Sequence, residues 1–494
     1  MNNRKNLISA LLLQMITIIQ GLVLPRIIIA TFGSEVNGMI TSITQFLSFI
    51  SLLEGGLGAV VLAELYKPIE DRDERRIIDI LTVCQHFFCG LAIVFSVYTI
   101  ILALIYPYLA DTRFEFGYTC TLVLILSVSI LAQYLFSITN KLFLQAKQKV
   151  YIINIVSTVS ILLNLVLSII VIYFVPQIHL VKLISSCIFL IQPIVISFFI
   201  EKKYKHRNYK LVEKREDVLK SRWSGFAQNL AHFINVNTDV ALITLFMNLR
   251  EVSVYSVYVL VISALKQVIS RICDSYQSAL GKYYAEGEQK LLSDKFVDFA
   301  NKIKNISLVL LMTCLLLINP FVKLYTVDVR DANYFQPEFA LVMVLANVVA
   351  CIREPYRLLI LAAGKFKETN FGAIVEAIIN IGISIVLIKP LGLLGVAIGT
   401  FCAITYRFSY FIWYLHSDIL KMSYKKYVLS LLGLFIMVIV NVHLYFEWNI
   451  EIDSYLSFIV YGIEIVFFES IMIIGIESLG KLFNIMIIRR KGIE

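Results

Sequence analysis

The sequence predicts an all-α polytopic membrane protein of about fourteen transmembrane helices, built as two parallel six-helix repeats followed by two further helices. Three observations predict it. Of 494 residues, 59% are hydrophobic and only 16% charged, with a mean hydropathy of +0.80; a soluble chain carries roughly 25% charged residues. Apolar runs long enough to cross a bilayer recur from end to end. Lysine and arginine then alternate between the short connections, 32 on one side and 6 on the other, which places both termini in the cytoplasm.

The helices read as 7–31, 36–64, 80–107, 117–144, 150–174, 178–200, 222–247, 252–283, 295–323, 338–363, 366–388, 391–415, 426–446 and 454–484. The first run is too long for a removable signal peptide, lacks a cleavage site and is followed at once by another span. The longest polar segment, EKKYKHRNYKLVEKREDVLKSR from Glu201 to Arg222, separates six helices from the next six. Six is an even number, so the seventh helix enters from the same face as the first. The halves are therefore parallel repeats about an axis along the membrane normal, with a substrate site expected between them. The domains follow: an N-terminal lobe over 1–200, a basic cytoplasmic linker over 201–221, a C-terminal lobe over 222–416, and helices 13 and 14 with a cytoplasmic tail over 417–494. One local echo supports the repeat. Glu35-Val36-Asn37, after the apolar LVLPRIIIATFGS, matches Glu251-Val252-Ser253, after NTDVALITLFMNLR.

Composition also excludes function classes. The eight cysteines all fall inside apolar runs, without disulfide or metal-ligand spacing, and the six histidines are scattered. No G-x-x-x-x-G-K-[ST] is present, so no nucleotide is hydrolysed through a P-loop, and no cofactor motif appears. The net charge of +9 follows topology rather than a nucleic-acid surface. The longest outward connection, from about Lys323 to Pro337, is too short for a folded domain, which argues against a membrane glycosyltransferase or polysaccharide polymerase.

An ionisable residue inside a span is costly and marks a functional position by default. Six basic residues lie within spans: Arg26, Lys266, Arg271, Arg353, Arg357 and Arg407. The acids Glu54, Asp239, Asp274, Glu354 and Glu376 accompany them, so several are expected to pair. Arg353 and Arg357 stand one turn apart on a single helix face, deep in helix 10, with Pro355 between them; two guanidiniums so placed suit a phosphate. Lys266 is similarly deep in helix 8. Arg271 and Asp274 read as a local salt bridge, and Arg407, among Tyr406, Tyr410 and Trp413, reads as part of an interfacial belt. Glu376 shares a mid-membrane face with Asn380; with Asp239, and with Glu54 before Gly55, Gly56 and Gly58, it is a candidate for proton or sodium coupling. Glu464, Glu469 and Glu477 enrich helix 14 in acid, with no role assigned by the pattern.

The stretch LPRIIIATFGSEVNGMITSITQFLSFISLLEGGLGAVV, together with GKFKETNFGAIVEAIINIGISIVLIKPLGLLGVAIGT from Gly364 onward, resembles the polysaccharide flippases (O-antigen or capsule type) of the multidrug/oligosaccharidyl-lipid/polysaccharide exporter superfamily. The resemblance implies two lobes moving by alternating access in a bacterial cytoplasmic membrane. It implies no covalent chemistry and a cargo of undecaprenyl-pyrophosphate-linked oligosaccharide destined for surface polysaccharide such as lipopolysaccharide. Membrane lipids and the polymerase machinery are the implied partners. Arg26 matches the basic residue of the family's first helix, which puts it with Lys266, Arg353 and Arg357 as a pyrophosphate-binding set. A drug or cation antiporter of the same superfamily is the nearest rival; it carries an acid rather than an arginine in the first helix.

The orientation is directly testable. In a background free of native cysteines, single cysteines at residues 210 and 290 should stay closed to an impermeant thiol reagent added outside. Those at 330 and 450 should react, and labelling in the opposite sense would overturn both orientation and repeat.

Overall fold

The computed structural model describes residues 2–54, 56–110, 113–204, 226–365, 368–420, 424–448 and 452–491. Among these residues there is no strand. Fourteen helical segments run in order. They are α1 (Asn2–Phe32), α2 (Ser34–Glu54, resumed as Leu57–Glu70), α3 (Glu74–Leu109), α4 (Phe116–Ala146), α5 (Val150–Phe174), α6 (Ile178–Tyr204) and α7 (Phe226–Phe246). They continue as α8 (Leu249–Asp274, resumed as Gln277–Ala285), α9 (Gln289–Tyr325), α10 (Pro337–Ala362), α11 (Asn370–Leu391), α12 (Leu393–Ile419), α13 (Tyr424–Glu447) and α14 (Tyr455–Lys491). Among the described residues twelve are long and apolar enough to cross a membrane; α7 and α13 contribute the shorter apolar segments Asn237–Phe246 and Gly433–Glu447. The basic linker expected over 201–221 lies, from residue 205 on, outside the described residues.

Several helices run past the ends that hydropathy sets. α3 starts at Glu74 and α9 at Gln289, because Glu, Lys and Arg are good helix formers and carry a helix on into water. The Asp73 carboxylate caps α3 by accepting from the Arg76 N–H at 3.1 Å. α2, expected as one helix over 36–64, breaks where Gly56 takes a left-handed φ of 79°, a conformation that glycine adopts without a Cβ clash.

The chain divides into two compact units, Met1–Ser253 and Val254–Glu494. In the first, α5 packs on α6, α3 on α4 and α4 on α6, with α1 against α5. In the second, α11 packs on α12, α9 on α10 and α10 on α12, while α13 and α14 lie against α9. The first three pairings of each unit match, six helices apart.

The side chains are sorted as lipid demands. α5 turns Ile155, Val159, Val166 and Ile170 outward and buries Asn154, Thr158, Asn164 and Ser168. In hydrocarbon an inward polar atom gains a partner that lipid cannot offer. Accordingly Asn154 Nδ2 donates to Ser9 Oγ of α1 at 3.0 Å, and Ser168 Oγ lies 3.4 Å from Ser185 Oγ of α6. α11 repeats the stripe: Asn380 and Ser384, each 216 residues beyond Asn164 and Ser168, are also buried. Asn380 Nδ2 donates to Thr400 Oγ1 of α12 at 3.1 Å.

The α11–α12 hairpin shows why its glycines are needed. Gly392, the single connecting residue, sits at φ 59°. A Cβ on Gly395 would collide with Leu387 O, and one on Gly399 would collide with Ser384 Oγ. This is the close backbone approach that small residues four apart permit between membrane helices. Gly399→Leu should therefore force the hairpin apart and lower the yield of monodisperse protein in detergent size-exclusion chromatography. Gly382→Ala is the matched control. Its added Cβ meets nothing within 4 Å, so that variant should behave as the parent.

Candidate functional site

The richest cluster of buried charge lies in the second unit, where α10, α11 and α12 each supply side chains and α8 stands alongside. α10 places Arg353 and Arg357 one turn apart, as its sequence requires. Packing fixes the helix between its neighbours: the Tyr356 ring meets Phe296 of α9 at 5.1 Å and Phe408 of α12 at 5.4 Å, both edge-on. Arg353 Nη1 donates to Glu376 Oε1 of α11 at 2.5 Å. The other oxygen of that carboxylate, Oε2, lies 3.6 Å from Arg407 Nε of α12. One acid thus serves two guanidiniums on two different helices.

Arg407 is only 3% exposed. Its Nη1 donates to Thr369 O at 2.8 Å, and its guanidinium stands over the rings of Phe411 and Tyr410 at 4.3 and 5.5 Å. Glycine at 372 makes room, since a Cβ there would collide with Arg407 Nη1. Arg407, read from the sequence as part of an interfacial belt, is therefore a member of the buried cluster. Of the neighbours Tyr406, Tyr410 and Trp413, Tyr410 lies beneath the guanidinium, while Trp413 is exposed.

Arg357 has its own acid. Its Nε donates to both Glu354 oxygens at 3.1 and 3.0 Å, and Nη2 to Oε1 at 2.5 Å. Lys266, exposed on α8, lies within electrostatic reach of both Glu354 and Cys351, and Asp274 within reach of Arg357. Three guanidiniums (Arg353, Arg357, Arg407) thus share two carboxylates at ion-pair distance, with the Lys266 ammonium nearby. Arg353 Nε is buried with no hydrogen-bond partner among the described residues. Chemically the set is a site with surplus N–H donors, suited to an anion that accepts several hydrogen bonds at once. Among the described residues no group of three His, Cys, Asp or Glu side chains could hold a metal ion.

The remaining sequence candidates are distributed differently. Arg26 is partly buried on α1, in the first unit, whereas Lys266, Arg353 and Arg357 belong to the second. Asp239 is buried on α7. Glu54, at the break in α2, accepts from the Tyr134 hydroxyl of α4 at 2.6 Å, a partner that no local spacing encodes. Arg271 and Asp274 are both exposed, and among the described residues no ion pair joins them, against the expected salt bridge. Glu376 lies six residues from the Asn370 end of α11, nearer that end than the predicted bounds of 366–388 place it. The acids of α14 also acquire partners: Glu477 accepts from Asn305 of α9 at 2.6 Å, and Glu469 from Asn441 of α13 at 3.2 Å.

A polar seam between α2 and the α7–α8 corner has no counterpart among the sequence expectations. Asn37 Nδ2 donates to Ser253 Oγ at 2.8 Å, Ser42 Oγ lies 2.7 Å from Thr244 Oγ1, and Gln45 Nε2 donates to Asn237 Oδ1. Gly38 is essential to it, because a Cβ there would collide with Leu249 O.

No protein-family model matches the chain, and no curated protein matches its sequence significantly. Solved structures do match. A lipid II flippase MurJ in an inward closed conformation superposes with a TM-score of 0.69 at 15% identity, over 94% of this chain and 97% of that one. An inward-facing multidrug resistance MATE family transporter of the MOP superfamily gives 0.60 at 16% identity, over 83% and 96%. An outward-facing member gives 0.55 at 16% identity, over 85% and 97%. The chain has the fold that the MurJ flippase shares with the MATE transporters of the MOP superfamily.

Proposed function

We propose that the chain is a transporter that flips an undecaprenyl-pyrophosphate-linked oligosaccharide from the cytoplasmic to the outer leaflet of a bacterial membrane by alternating access, for surface polysaccharide synthesis, without making or breaking covalent bonds. The observation that carries the proposal is the surplus of guanidinium donors in the second unit, within a fold shared with a lipid II flippase. A lipid-linked pyrophosphate presents the acceptor-rich charge that such a set of donors suits. The two lobes read from the sequence, 1–200 and 222–416, are the moving bodies of this scheme. Arg26, on α1 of the first unit, is assigned with Lys266, Arg353 and Arg357 of the second to the pyrophosphate-binding set.

The coupling acids divide by their partners. Glu376 is committed to Arg353 and Arg407, so its role is to hold those guanidiniums in place. Glu54 bonds a tyrosine hydroxyl, and with Asp239 it is the acid assigned to proton or sodium coupling. The second reading is a drug or cation antiporter, supported by the MATE likeness.

Mass spectrometry of lipid-linked intermediates separates the two readings. A strain lacking the protein should accumulate single repeat units on undecaprenyl pyrophosphate. Unchanged intermediates with altered drug susceptibility would favour the antiporter.

Four variants test the site itself. A charge-assisted hydrogen bond contributes roughly 1.5–3 kcal/mol, so Arg353→Ala should weaken cargo binding about ten- to a hundredfold and abolish export. Arg353→Lys should export partially, since lysine keeps the charge and loses the fork. Because Glu376 keeps Arg407, the Ala variant should still fold. Glu376→Gln, by contrast, leaves two guanidiniums uncompensated and should cost about 3–5 kcal/mol, read as loss of folded protein in the membrane. A folded Arg26→Ala, Arg353→Ala double variant exporting at the parent rate would refute the site.

A further inference from the structure

Helices α13 and α14 stand outside the six-helix pairings and outside the charged cluster, yet they enclose an acid. Glu469 is fourteen residues from the Tyr455 end of α14, about 21 Å along the axis, and nine from Ser478, where the apolar stretch ends. Its side chain is fully buried. Among the described residues no cation lies within ion-pair distance of it. Lys304 of α9 is within electrostatic reach of Glu477, which also accepts from Asn305 of the same helix. Glu464 on its own helix and His443 and Glu447 of α13 are exposed. Tyr445 of α13 is engaged with Asn319 and Pro337 O, and Cys314 of α9 is a buried thiol.

The partner that Glu469 has is Asn441, whose Nδ2 donates to Glu469 Oε2 at 3.2 Å. The same Nδ2 donates to Met437 O at 3.1 Å. Both amide hydrogens are then committed, and turning the amide over would set oxygen against the Met437 carbonyl. Asn441 Oδ1 is thereby fixed as an acceptor. It and Glu469 Oε1 are the two oxygens of the pair that are buried without a hydrogen-bond partner among the described residues. Two acceptors without a donor leave the pair one hydrogen short.

We infer that Glu469 is a proton-binding site, protonated in this conformation and joined to Asn441 as a carboxylic acid–amide pair between α14 and α13. The proton on Oε1 satisfies that oxygen and offers Asn441 Oδ1 the donor it lacks, while the amide N–H already bonds the acid's other oxygen. The neutral acid also removes the uncompensated charge that mid-bilayer burial would otherwise impose.

The test is infrared difference spectroscopy on the full chain in liposomes at pH 7, parent against Glu469→Gln. The expected result is loss of a protonated-carboxyl C=O band that shifts in D2O. Loss of carboxylate bands instead would overturn the site. Should the Gln variant fail to fold, the parent decides alone. It is treated with dicyclohexylcarbodiimide, which modifies protonated carboxyls in apolar surroundings, and mapped by peptide mass spectrometry across Tyr455–Ser478. An adduct on Glu469 supports the proposal, and an unmodified Glu469 overturns it.

Discussion

The carboxylate of Glu376 ties three helices together, and much of the second unit is arranged to permit it. Its two oxygens engage Arg353 of α10 and Arg407 of α12, while its own backbone belongs to α11. In an apolar medium each of these charges alone carries a large desolvation cost, and a shared counter-charge is what makes their burial tolerable. The neighbouring sequence follows from that geometry. Gly372 vacates the space that Arg407 Nη1 fills, Thr369 turns a carbonyl to the same guanidinium, and Gly395 and Gly399 let α12 approach α11 closely. Tyr356, wedged between Phe296 and Phe408, holds α10 in the orientation that delivers Arg353.

The repeat makes these charges conspicuous. Buried polar residues recur at a constant separation: Asn164 and Asn380, and Ser168 and Ser384, stand as far apart in sequence as the hydrogen-bonded Asn37 and Ser253. These are the parts of a shared scaffold, polar inward and apolar outward. At the same separation, the places of Arg353, Glu376 and Arg407 are occupied in the first repeat by Ser137, Ser160 and Ile191. The charged cluster thus departs from the scaffold in one half only. A position that breaks an internal repeat while adding an expensive buried charge is answering to something other than packing.

How much of this is legible in a sequence depends on which forces a linear pattern records. Hydropathy marks where a helix is immersed, so all fourteen helices are readable, whereas the extensions of α3 and α9 into water are not. An error of a few residues at the start of α11 displaces Glu376 toward mid-membrane, because depth is counted from the helix end. The i,i+3 spacing makes the Glu354–Arg357 pair readable within one helix. The Arg353–Glu376 bond spans two helices, and the Glu54–Tyr134 bond does so as well; nothing in either local spacing encodes them. The burial of Arg407 is hidden for a related reason: aromatic neighbours look alike in sequence whether they line a surface or stack on a buried cation.

Under the proposed function, the pairing of the guanidiniums bears both on capture of the anion and on its release. A bare guanidinium deep in a bilayer would hold a phosphate with little competition, and a carrier that cannot release its cargo does not turn over. When each guanidinium already holds a carboxylate, arrival of a phosphate exchanges one charge-assisted partner for another, and most of the desolvation has been met in the empty protein. The free-energy difference between loaded and unloaded states is then smaller than the strength of either contact. Arg353 is the residue best placed for such an exchange. Its Nη1 is bonded to Glu376, its buried Nε has no partner among the described residues, and Glu376 retains Arg407 if Arg353 turns to an incoming anion.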